Sequence, residues 1–273
     1  MQNQAKVVNG KEIAEEMFIE LADKAQKVNP KNLAFVSFGG DAASKNFVQV
    51  KSRLAQRLGI ETDVLEQKAT DTTEALTFIK GLVDKNYDGI VIQLPFPAEF
   101  DTNIILDSLP RKFDIDMLGK EAKEAYKKGL TKRVAPVAQA VQEILERNNI
   151  DTMDKKVVIL GKGRLVGEPV GALFQNLNIA CVTLDKNTDL EINEESLLTA
   201  DIIISGIGVP HFLKPEMIKS GVVLIDAGTS EQEGKLAGDI DPSCTNKASL
   251  ITPVPGGVGP ITVASLFYNL FRD

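Results

Sequence analysis

The sequence predicts an α/β protein whose second half forms a doubly wound parallel sheet. The segment 157–160 is a run of four apolar residues, which suits a central parallel strand that is covered on both faces. Further apolar runs follow at 179–185, 202–204 and 222–225, and segments of helical character separate them. This alternation of strands and helices is typical of a doubly wound sheet.

A glycine-rich turn follows the first of these strands and leads into a helix. Gly161, Gly163 and Gly167 give the spacing G-x-G-x-x-x-G, which differs from the strict G-x-G-x-x-G, so a turn without a ligand stays open on this stretch alone. Glycines let the backbone approach a ligand, and the start of the helix points free N–H groups at an anion. The turn therefore predicts a dinucleotide site, with Asp185 at the end of the next strand placed to bind a ribose hydroxyl.

Composition limits the class of protein. With 273 residues and 43% hydrophobic content, we expect one or two domains with a substantial core. A net charge of -7 and a pI near 5.0 argue against nucleic acid as a partner. We expect no membrane span and no export signal, because no long apolar run or cationic leader is present. Cys181, in a predicted buried strand, and Cys244, in a predicted late loop, fit no metal or disulfide framework, which suits the cytoplasm.

The first half of the chain predicts three further strand and helix units. A short edge strand and turn at 7–10 precede a helix over 11–27, and a buried strand at 33–38 is followed by a turn at 39–41 and a helix over 43–58. The third unit has a strand at 61–65, a helix over 73–85 and a buried strand that ends in a proline-rich loop at 95–97.

Two places in this half carry candidate functional side chains. Ser44, Phe47 and Lys51 recur at three- and four-residue spacing, so they share one helix face, although a lysine on a helix is usually only a solvated charge. Gln93 follows a buried strand, at the end where open α/β sheets bind ligands. The alternative for Gln93 is that it satisfies backbone groups of the loop.

Three later segments are also informative. Asp114 and Asp116 flank one apolar residue, and turn or cap roles are usual for such a pair. A helix is predicted over 136–147. The segment 252–262 is too rich in glycine and proline to predict a regular element, so it is either a rigid loop against a flat ligand or a structural crossover before a final helix over 263–271.

Taken together, five motifs resemble the methylenetetrahydrofolate dehydrogenase/cyclohydrolase family, in family order over nearly the whole chain. The motifs are Ser44-x-x-Phe47-x-x-x-Lys51, Val91-Ile92-Gln93-Leu94-Pro95, Asp114-Ile115-Asp116, Gly161-x-Gly163-x-x-Val166-Gly167-x-Pro169 and Pro253-Val254-Pro255-Gly256-Gly257-Val258-Gly259-Pro260-Ile261-Thr262. The resemblance implies an N-terminal α/β catalytic domain over 1–134, completed by a returning C-terminal helix within 254–273. It further implies a Rossmann-type dinucleotide domain over 135–253, a folate cleft between the two domains, and a homodimer.

The resemblance also implies roles for single residues. Lys51 matches the lysine that acts on the one-carbon centre, Gln93 the glutamine that tunes it, and Asp116 the aspartate that holds the pterin ring. A lysine in a desolvated cleft can lose its proton near neutral pH, and a carboxylate can pair with an amidine-like edge. The expected folate-binding residues are Ser44, Phe47, Pro255, Gly256 and Gly257, and the expected dinucleotide-binding residues are Gly161, Lys162, Gly163, Val166, Gly167, Asp185 and Lys186.

The implied reactions are oxidation of methylenetetrahydrofolate to the methenyl compound and its hydrolysis to formyltetrahydrofolate. Phe47 stands where tyrosine is usual, so a monofunctional dehydrogenase is one alternative. An oxidoreductase for an unrelated small substrate and a non-catalytic folate-binding paralogue are two others. For the cofactor, Asp185 favours NAD, whereas Lys162 and Lys186 favour NADP, and the balance predicts NADP with some NAD activity.

Overall fold

The computed structural model describes residues 5–29, 31–39, 42–185, 190–232 and 235–272. In these ranges helices alternate with mostly parallel strands. The helices are α1 (Gly10–Ala25), α2 (Ala42–Arg57), α3 (Thr72–Val83), α4 (Thr102–Asp107), α5 (Lys120–Lys127), α6 (Pro136–Arg147), α7 (Gly167–Asn176), α8 (Leu190–Thr199) and α9 (Val258–Leu270). The strands are β1 (Lys6–Val7), β2 (Asn32–Phe38), β3 (Glu61–Gln67), β4 (Gly89–Ile92), β5 (Val157–Leu160), β6 (Cys181–Leu184), β7 (Ile202–Ser205), β8 (Val223–Asp226), β9 (Ser230–Gln232), β10 (Lys235–Ala237) and β11 (Leu250–Ile251).

The chain divides into two compact units, each with its own parallel sheet. The three-stranded unit contains Met17–Pro136 and Val263–Asp273, and the six-stranded unit contains Met1–Glu16 and Val137–Thr262. The first residues belong to the six-stranded unit because β1 pairs with β11 at the edge of its sheet.

In the three-stranded unit the strand order is β3-β2-β4 and all pairs are parallel. The chain passes from β2 to β3 on one side and then to β4 on the other. The carboxyl ends of β2 and β4 therefore form the switch point at which such sheets bind ligands. The backbone N–H of Gln93, directly after β4, donates to the carbonyl oxygen of Val36 in β2 (2.8 Å), so Gln93 is fixed at that switch point.

In the six-stranded unit the order is β1-β11-β8-β7-β5-β6, again with parallel pairs. The chain runs from β5 to β6 on one side and returns to β7 on the other, which creates a second switch point after β5 and β7. This arrangement confirms the doubly wound sheet that the sequence predicts. The buried runs of β5, β7 and β8 are the apolar segments that carried the prediction.

Three predictions from the sequence are corrected by the structure. Helix α9 begins at Val258, five residues before the predicted start at Val263, because Pro260 lies in the first helical turn, where a missing N–H removes no helical bond. Cys181 is only partly buried, because β6 is an edge strand. Cys244 is fully buried in a 3-10 helix, Pro242–Asn246, and not in an irregular loop.

Other elements carried no sequence prediction. They are the antiparallel pair β9 and β10, the short strand β11, and the helices α4 and α5. The predicted turn at 39–41 lies partly outside the described residues, since the description stops at Gly39 and resumes at Ala42. Among the described helices, none combines the length and the apolar character needed to cross a membrane.

The end of α9 packs in the three-stranded unit, as the resemblance implied for the C-terminal helix. Asn269 is fully buried, and its Nδ2 donates to the carbonyl oxygens of Ile115 (2.8 Å) and Val134 (2.7 Å). Its Oδ1 accepts from the N–H of Val134 (3.1 Å). One side chain thus satisfies three backbone groups and ties α9 to the segment that carries Asp114 and Asp116.

We expect Asn269→Ala to lower the free energy of unfolding by about 3 kcal/mol, because buried backbone groups would lose their partners. Urea unfolding followed by circular dichroism measures the change. The exposed Asn86 offers a control, and Asn86→Ala should change the free energy by no more than about 0.5 kcal/mol. Equal midpoints for Asn269→Ala and the unsubstituted protein would contradict the anchoring role.

Candidate active site

The switch point of the three-stranded sheet brings Lys51 and Gln93 together. Lys51 lies on α2, which follows β2, and Gln93 directly follows β4; both side chains are half-buried. The ammonium of Lys51 donates to Oε1 of Gln93 (3.2 Å). Nε2 of Gln93 donates to the carbonyl oxygen of Leu94 (2.5 Å), which orients the amide with its oxygen towards the lysine.

Asp116 faces the same lysine. Asp116 is half-buried. The loss of water around its carboxylate raises the pKa of Asp116 above the ordinary value. The positive charge of Lys51 acts in the opposite direction and lowers that pKa. Lys51, Gln93 and Asp116 therefore form one cluster with a cation, an amide oxygen and a carboxyl group, which are groups suited to proton transfer and to binding a polar planar ring.

Asp114 supports the turn on which Asp116 lies. Its buried carboxylate accepts from the backbone N–H groups of Gly119 (2.8 Å) and Leu118 (3.3 Å), just before α5. The pKa of Asp114 is raised to about 6, because burial and the charge of Asp116 raise it more than the N–H donors lower it. The turn or cap role considered for this pair thus describes Asp114, while Asp116 points its charge at Lys51.

Met117, next to Asp116, has a backbone conformation that is unusual for a side chain of its size. Its φ is +59°, in the left-handed region that favours glycine. A non-glycine residue there costs about 1–2 kcal/mol. The Met117 side chain is buried, so its apolar contacts offset part of that cost.

Phe47 lies on α2 one turn before Lys51, and 46% of its surface is exposed. Residues four apart share a helix face, so its ring is presented on the same side as the lysine. An exposed ring beside polar groups suits stacking against a flat ligand. Ser44 is a residue of the same helix, but its side chain lies outside the described part of the structure.

The glycine turn of the six-stranded unit lies at the other switch point. Gly161 has φ +104°, and a Cβ added there would lie 2.6 Å from the carbonyl oxygen of Gly206. A Cβ added at Gly167 would lie 1.8 Å from the carbonyl oxygen of Gly161. Both residues must therefore be glycine. A Cβ at Gly163 would meet no atom within 4 Å, so the protein itself does not require glycine there.

This turn has the features that a dinucleotide needs. Helix α7 begins at Gly167, directly after Val166, so the positive end of its dipole lies at the turn. Nζ of Lys162 lies 3.6 Å from Oδ2 of Asp185, which follows β6. A cation paired with a carboxylate therefore lies on the side of the turn where the ribose is expected. Lys186, the second cation of the sequence prediction, lies outside the described residues.

The loop Pro255–Gly257 is held rigidly within the six-stranded unit. The N–H of Gly10 donates to the carbonyl oxygen of Gly256 (3.0 Å). A Cβ at Gly10 would lie 1.8 Å from the carbonyl oxygen of Gly257, and Gly256 has φ +102°. Pro255 is exposed, and it follows a cis peptide bond. The close approach of two backbones explains why the segment is rich in glycine.

The structure thus brings together two groups of expected site residues. Lys51, Gln93 and Asp116 gather in the three-stranded unit, and the glycine turn gathers with Lys162 and Asp185 in the six-stranded unit. Sequence reasoning gave no role to two buried carboxylates in the second unit, Asp226 and Asp239. Asp226 is the last residue of β8, so the rule that ligands bind at strand ends could have drawn attention to it.

Comparisons with known proteins assign both parts of the chain to one family. The model of the tetrahydrofolate dehydrogenase/cyclohydrolase catalytic domain matches residues 8–116, and the model of the NAD(P)-binding domain of the same family matches residues 135–273. A protein of Mycoplasmopsis synoviae named "Bifunctional protein FolD" is 36% identical, over 97% of this chain and 98% of its own length.

Solved structures give the same result. The crystal structure of a bifunctional methylenetetrahydrofolate dehydrogenase/cyclohydrolase from Campylobacter jejuni is 30% identical with a TM-score of 0.90, covering 98% of this chain and 97% of that one. The Trypanosoma brucei enzyme, solved with NADP cofactor and an inhibitor, is 28% identical with a TM-score of 0.89, covering 98% of this chain and 96% of that one.

We expect Asp114→Asn to remove part of the pH dependence of stability. The folded-state pKa of about 6 lies above the unfolded value of about 3.9, so ionising Asp114 costs stability as pH rises from about 4 to 6. The unfolding free energy of Asp114→Asn, minus that of the unsubstituted protein, should therefore rise by about 2 kcal/mol between pH 4 and pH 7. Urea unfolding at a series of pH values measures this difference, and a difference independent of pH would refute it.

Proposed function

The chain belongs to the tetrahydrofolate dehydrogenase/cyclohydrolase family, and we propose that it is a bifunctional enzyme of one-carbon folate metabolism. It oxidises methylenetetrahydrofolate to methenyltetrahydrofolate with NADP and hydrolyses that product to formyltetrahydrofolate. The observation that carries the proposal is the bonded pair of Lys51 and Gln93 beside Asp116, in a chain that matches both family domains.

In the oxidation, the methylene carbon must be held in place while it loses a hydride. When bound, the dinucleotide supplies the acceptor for that hydride, and the folate keeps a methenyl cation. Asp116 pairs with the polar edge of the pterin, and the ring of Phe47 stacks on its face. The positive end of the α7 dipole would attract the pyrophosphate, and Gly161 and Gly167 give the turn before the helix its tight shape.

The hydrolysis is redox-neutral and needs no dinucleotide. Water adds to the methenyl carbon, a proton leaves the added oxygen, and one ring C–N bond breaks to give the formyl compound. We assign the proton transfers to Lys51. Gln93 holds the lysine through its amide oxygen, so the amine keeps its position when its protonation state changes.

The alternatives from the sequence receive less support. A monofunctional dehydrogenase is one alternative, because Phe47 lacks the hydroxyl of the usual tyrosine. The proposed hydrolysis places the proton on Lys51 and leaves stacking to the exposed ring, so it does not require that hydroxyl. A non-catalytic folate-binding paralogue would have no need for the bonded pair of Lys51 and Gln93.

NADP is the proposed cofactor. Lys162 lies beside Asp185, so its charge offsets the carboxylate that would otherwise repel a 2′-phosphate. The neighbour from Trypanosoma brucei was solved with NADP. We further propose that the enzyme acts as a homodimer in the cytoplasm, a compartment that suits its two free thiols.

We also propose that folate and dinucleotide are bound by different parts of the chain. Residues 1–134 with 254–273 would serve folate chemistry, and residues 135–253 would bind the dinucleotide. The family models support the change of role between residues 116 and 135. Pro255, Gly256 and Gly257 are then folate-binding residues contributed from the rigid loop that packs on Gly10.

Lys51→Met should abolish conversion of methenyltetrahydrofolate to formyltetrahydrofolate, because methionine keeps the length of the side chain but cannot transfer a proton. Loss of absorbance of the methenyl compound measures the rate. Lys80→Met, which changes an exposed lysine on α3, is the matched control and should hydrolyse at the normal rate. Undiminished hydrolysis in a folded Lys51→Met variant would remove Lys51 from the mechanism.

Asp185→Ser should raise kcat/KM with NADP and lower it with NAD, because it removes the carboxylate that binds a ribose hydroxyl and repels a phosphate. Before substitution we expect a modest preference for NADP with measurable NAD activity. Lys162→Ala should shift the preference in the opposite direction. A strong initial preference for NAD that collapses in Asp185→Ser would show the cofactor assignment to be wrong and Asp185 to be the selector.

A further inference from the structure

Three neighbouring strands of the six-stranded sheet end in polar residues that are all buried. Ser205 ends β7, Asp226 ends β8, and Thr252 directly follows β11. Ser205 and Asp226 are paired in register. The N–H of Asp226 donates to Oγ1 of Thr252 (2.7 Å). The carboxyl edge of this sheet is therefore polar, although the strands before it are apolar.

Asp239, which is fully buried, reaches this edge from the chain after β10. Its Oδ2 accepts from the hydroxyl of Ser205 (2.8 Å) and from the N–H of Ile207 (2.8 Å), and its Oδ1 accepts from the N–H of Val209 (3.0 Å). One carboxylate thus fixes the end of β7 and two N–H groups of the loop that follows it.

Asp226 fixes the neighbouring segments in the same way. Its Oδ1 accepts from the N–H groups of Gly228 (3.0 Å) and Asp239 (3.1 Å), and its Oδ2 accepts from the N–H of Ile240 (2.9 Å). Asp226 therefore holds the backbone of Asp239 in place, while Asp239 holds the loop after β7.

The space around the two carboxylates is filled by backbone. A Cβ added at Gly228 would lie 2.2 Å from Cγ of Asp239, and one added at Gly238 would lie 2.1 Å from Oδ2 of Asp226. Within the described residues, neither carboxylate has a lysine or arginine partner. The pKa of Asp226 is raised to about 7, mainly by burial and also by the charge of Asp239, whereas its N–H donors lower it.

The loop after β7 lies directly against the glycine turn. The carbonyl oxygen of Gly206 is the group that a Cβ at Gly161 would strike, and a Cβ at Gly206 would lie 2.4 Å from Cβ of Val166. The N–H of Gly206 donates to the carbonyl oxygen of Leu160 (2.8 Å). A shift of this loop would therefore move the backbone that faces the pyrophosphate.

We propose that Asp239, held by Asp226, is a positioning residue of the dinucleotide site. Its carboxylate sets the loop Gly206–Val209, and that loop sets the shape of the turn Gly161–Gly167. Asp239 itself does not contact the dinucleotide. The inference rests on the proposed dinucleotide site, and it adds the requirement that cofactor affinity depends on a carboxylate that lies behind the turn.

The test compares NADP binding by three variants. Asp239→Asn keeps the shape of the side chain but presents an N–H₂ group to at least one N–H donor, so the loop cannot keep its position. The Kd for NADP, measured by titration calorimetry, should rise by about tenfold or more, which corresponds to ~1.4 kcal/mol. Ser205→Ala removes one donor to Asp239 and should raise the Kd by a smaller factor.

Asp201→Asn is the matched control. Asp201 precedes β7 at the opposite edge of the sheet, where it accepts from the N–H of Lys156 (2.8 Å) and from Nζ of Lys219 (2.6 Å). This variant should lose stability and keep the normal Kd for NADP. In Asp239→Asn, hydrolysis of methenyltetrahydrofolate without dinucleotide should stay within about twofold of normal. The substitution should weaken only cofactor binding, by about 1.4 kcal/mol.

The outcomes separate the inference from the proposed function. A normal Kd in folded Asp239→Asn, or in Ser205→Ala if Asp239→Asn does not fold, would overturn the positioning role and leave the function intact. A Kd raised equally in Asp201→Asn would also overturn it, because general loss of stability would then explain the effect. Failure of the unsubstituted protein to bind either NADP or NAD would instead refute the proposed dehydrogenase function.

Discussion

Parallel strands that end at a switch point leave backbone N–H groups of the following loops without sheet partners, and buried polar groups must be satisfied. In both units the chain meets this constraint with buried carboxylates. Asp114 accepts from the turn beside β4, and Asp226 and Asp239 accept from the loops after β7 and β8. The loops that carry the candidate functional groups depend on these acceptors for their shape.

This constraint separates two kinds of acidic residue that look alike in sequence. Asp114 and Asp116 are two residues apart, yet one accepts backbone N–H groups and the other faces a lysine. The difference comes from the direction of each side chain in a turn that contains a left-handed residue, Met117. Two carboxylates in one loop can thus have different roles, one structural and one chemical. Here, within the described part of the chain, only the structural carboxylate, that of Asp114, accepts from backbone N–H donors.

Much of the fold could be predicted from the sequence, because continuous apolar runs such as β5 and β7 and the helices between them have strong local signals. Elements without such signals could not. The strands β9 and β10 are only three residues each, too short for a periodic pattern, and the start of α9 contains glycine and proline. The contact between Lys51 and Gln93 joins residues 42 apart in sequence, so the family resemblance was needed to prefer it over a solvated lysine.

The buried carboxylates also explain how an acidic edge can lie beside a site for an anion. Asp239 receives three hydrogen bonds from neutral donors, and these dipoles offset its charge locally. The start of α7 differs, because Pro169 has no N–H and the N–H of Glu168 donates to the carbonyl oxygen of Gly163 (3.0 Å) in the turn itself. The positive end of the α7 dipole then favours a phosphate at the glycine turn, while the buried carboxylates hold the neighbouring loop in place.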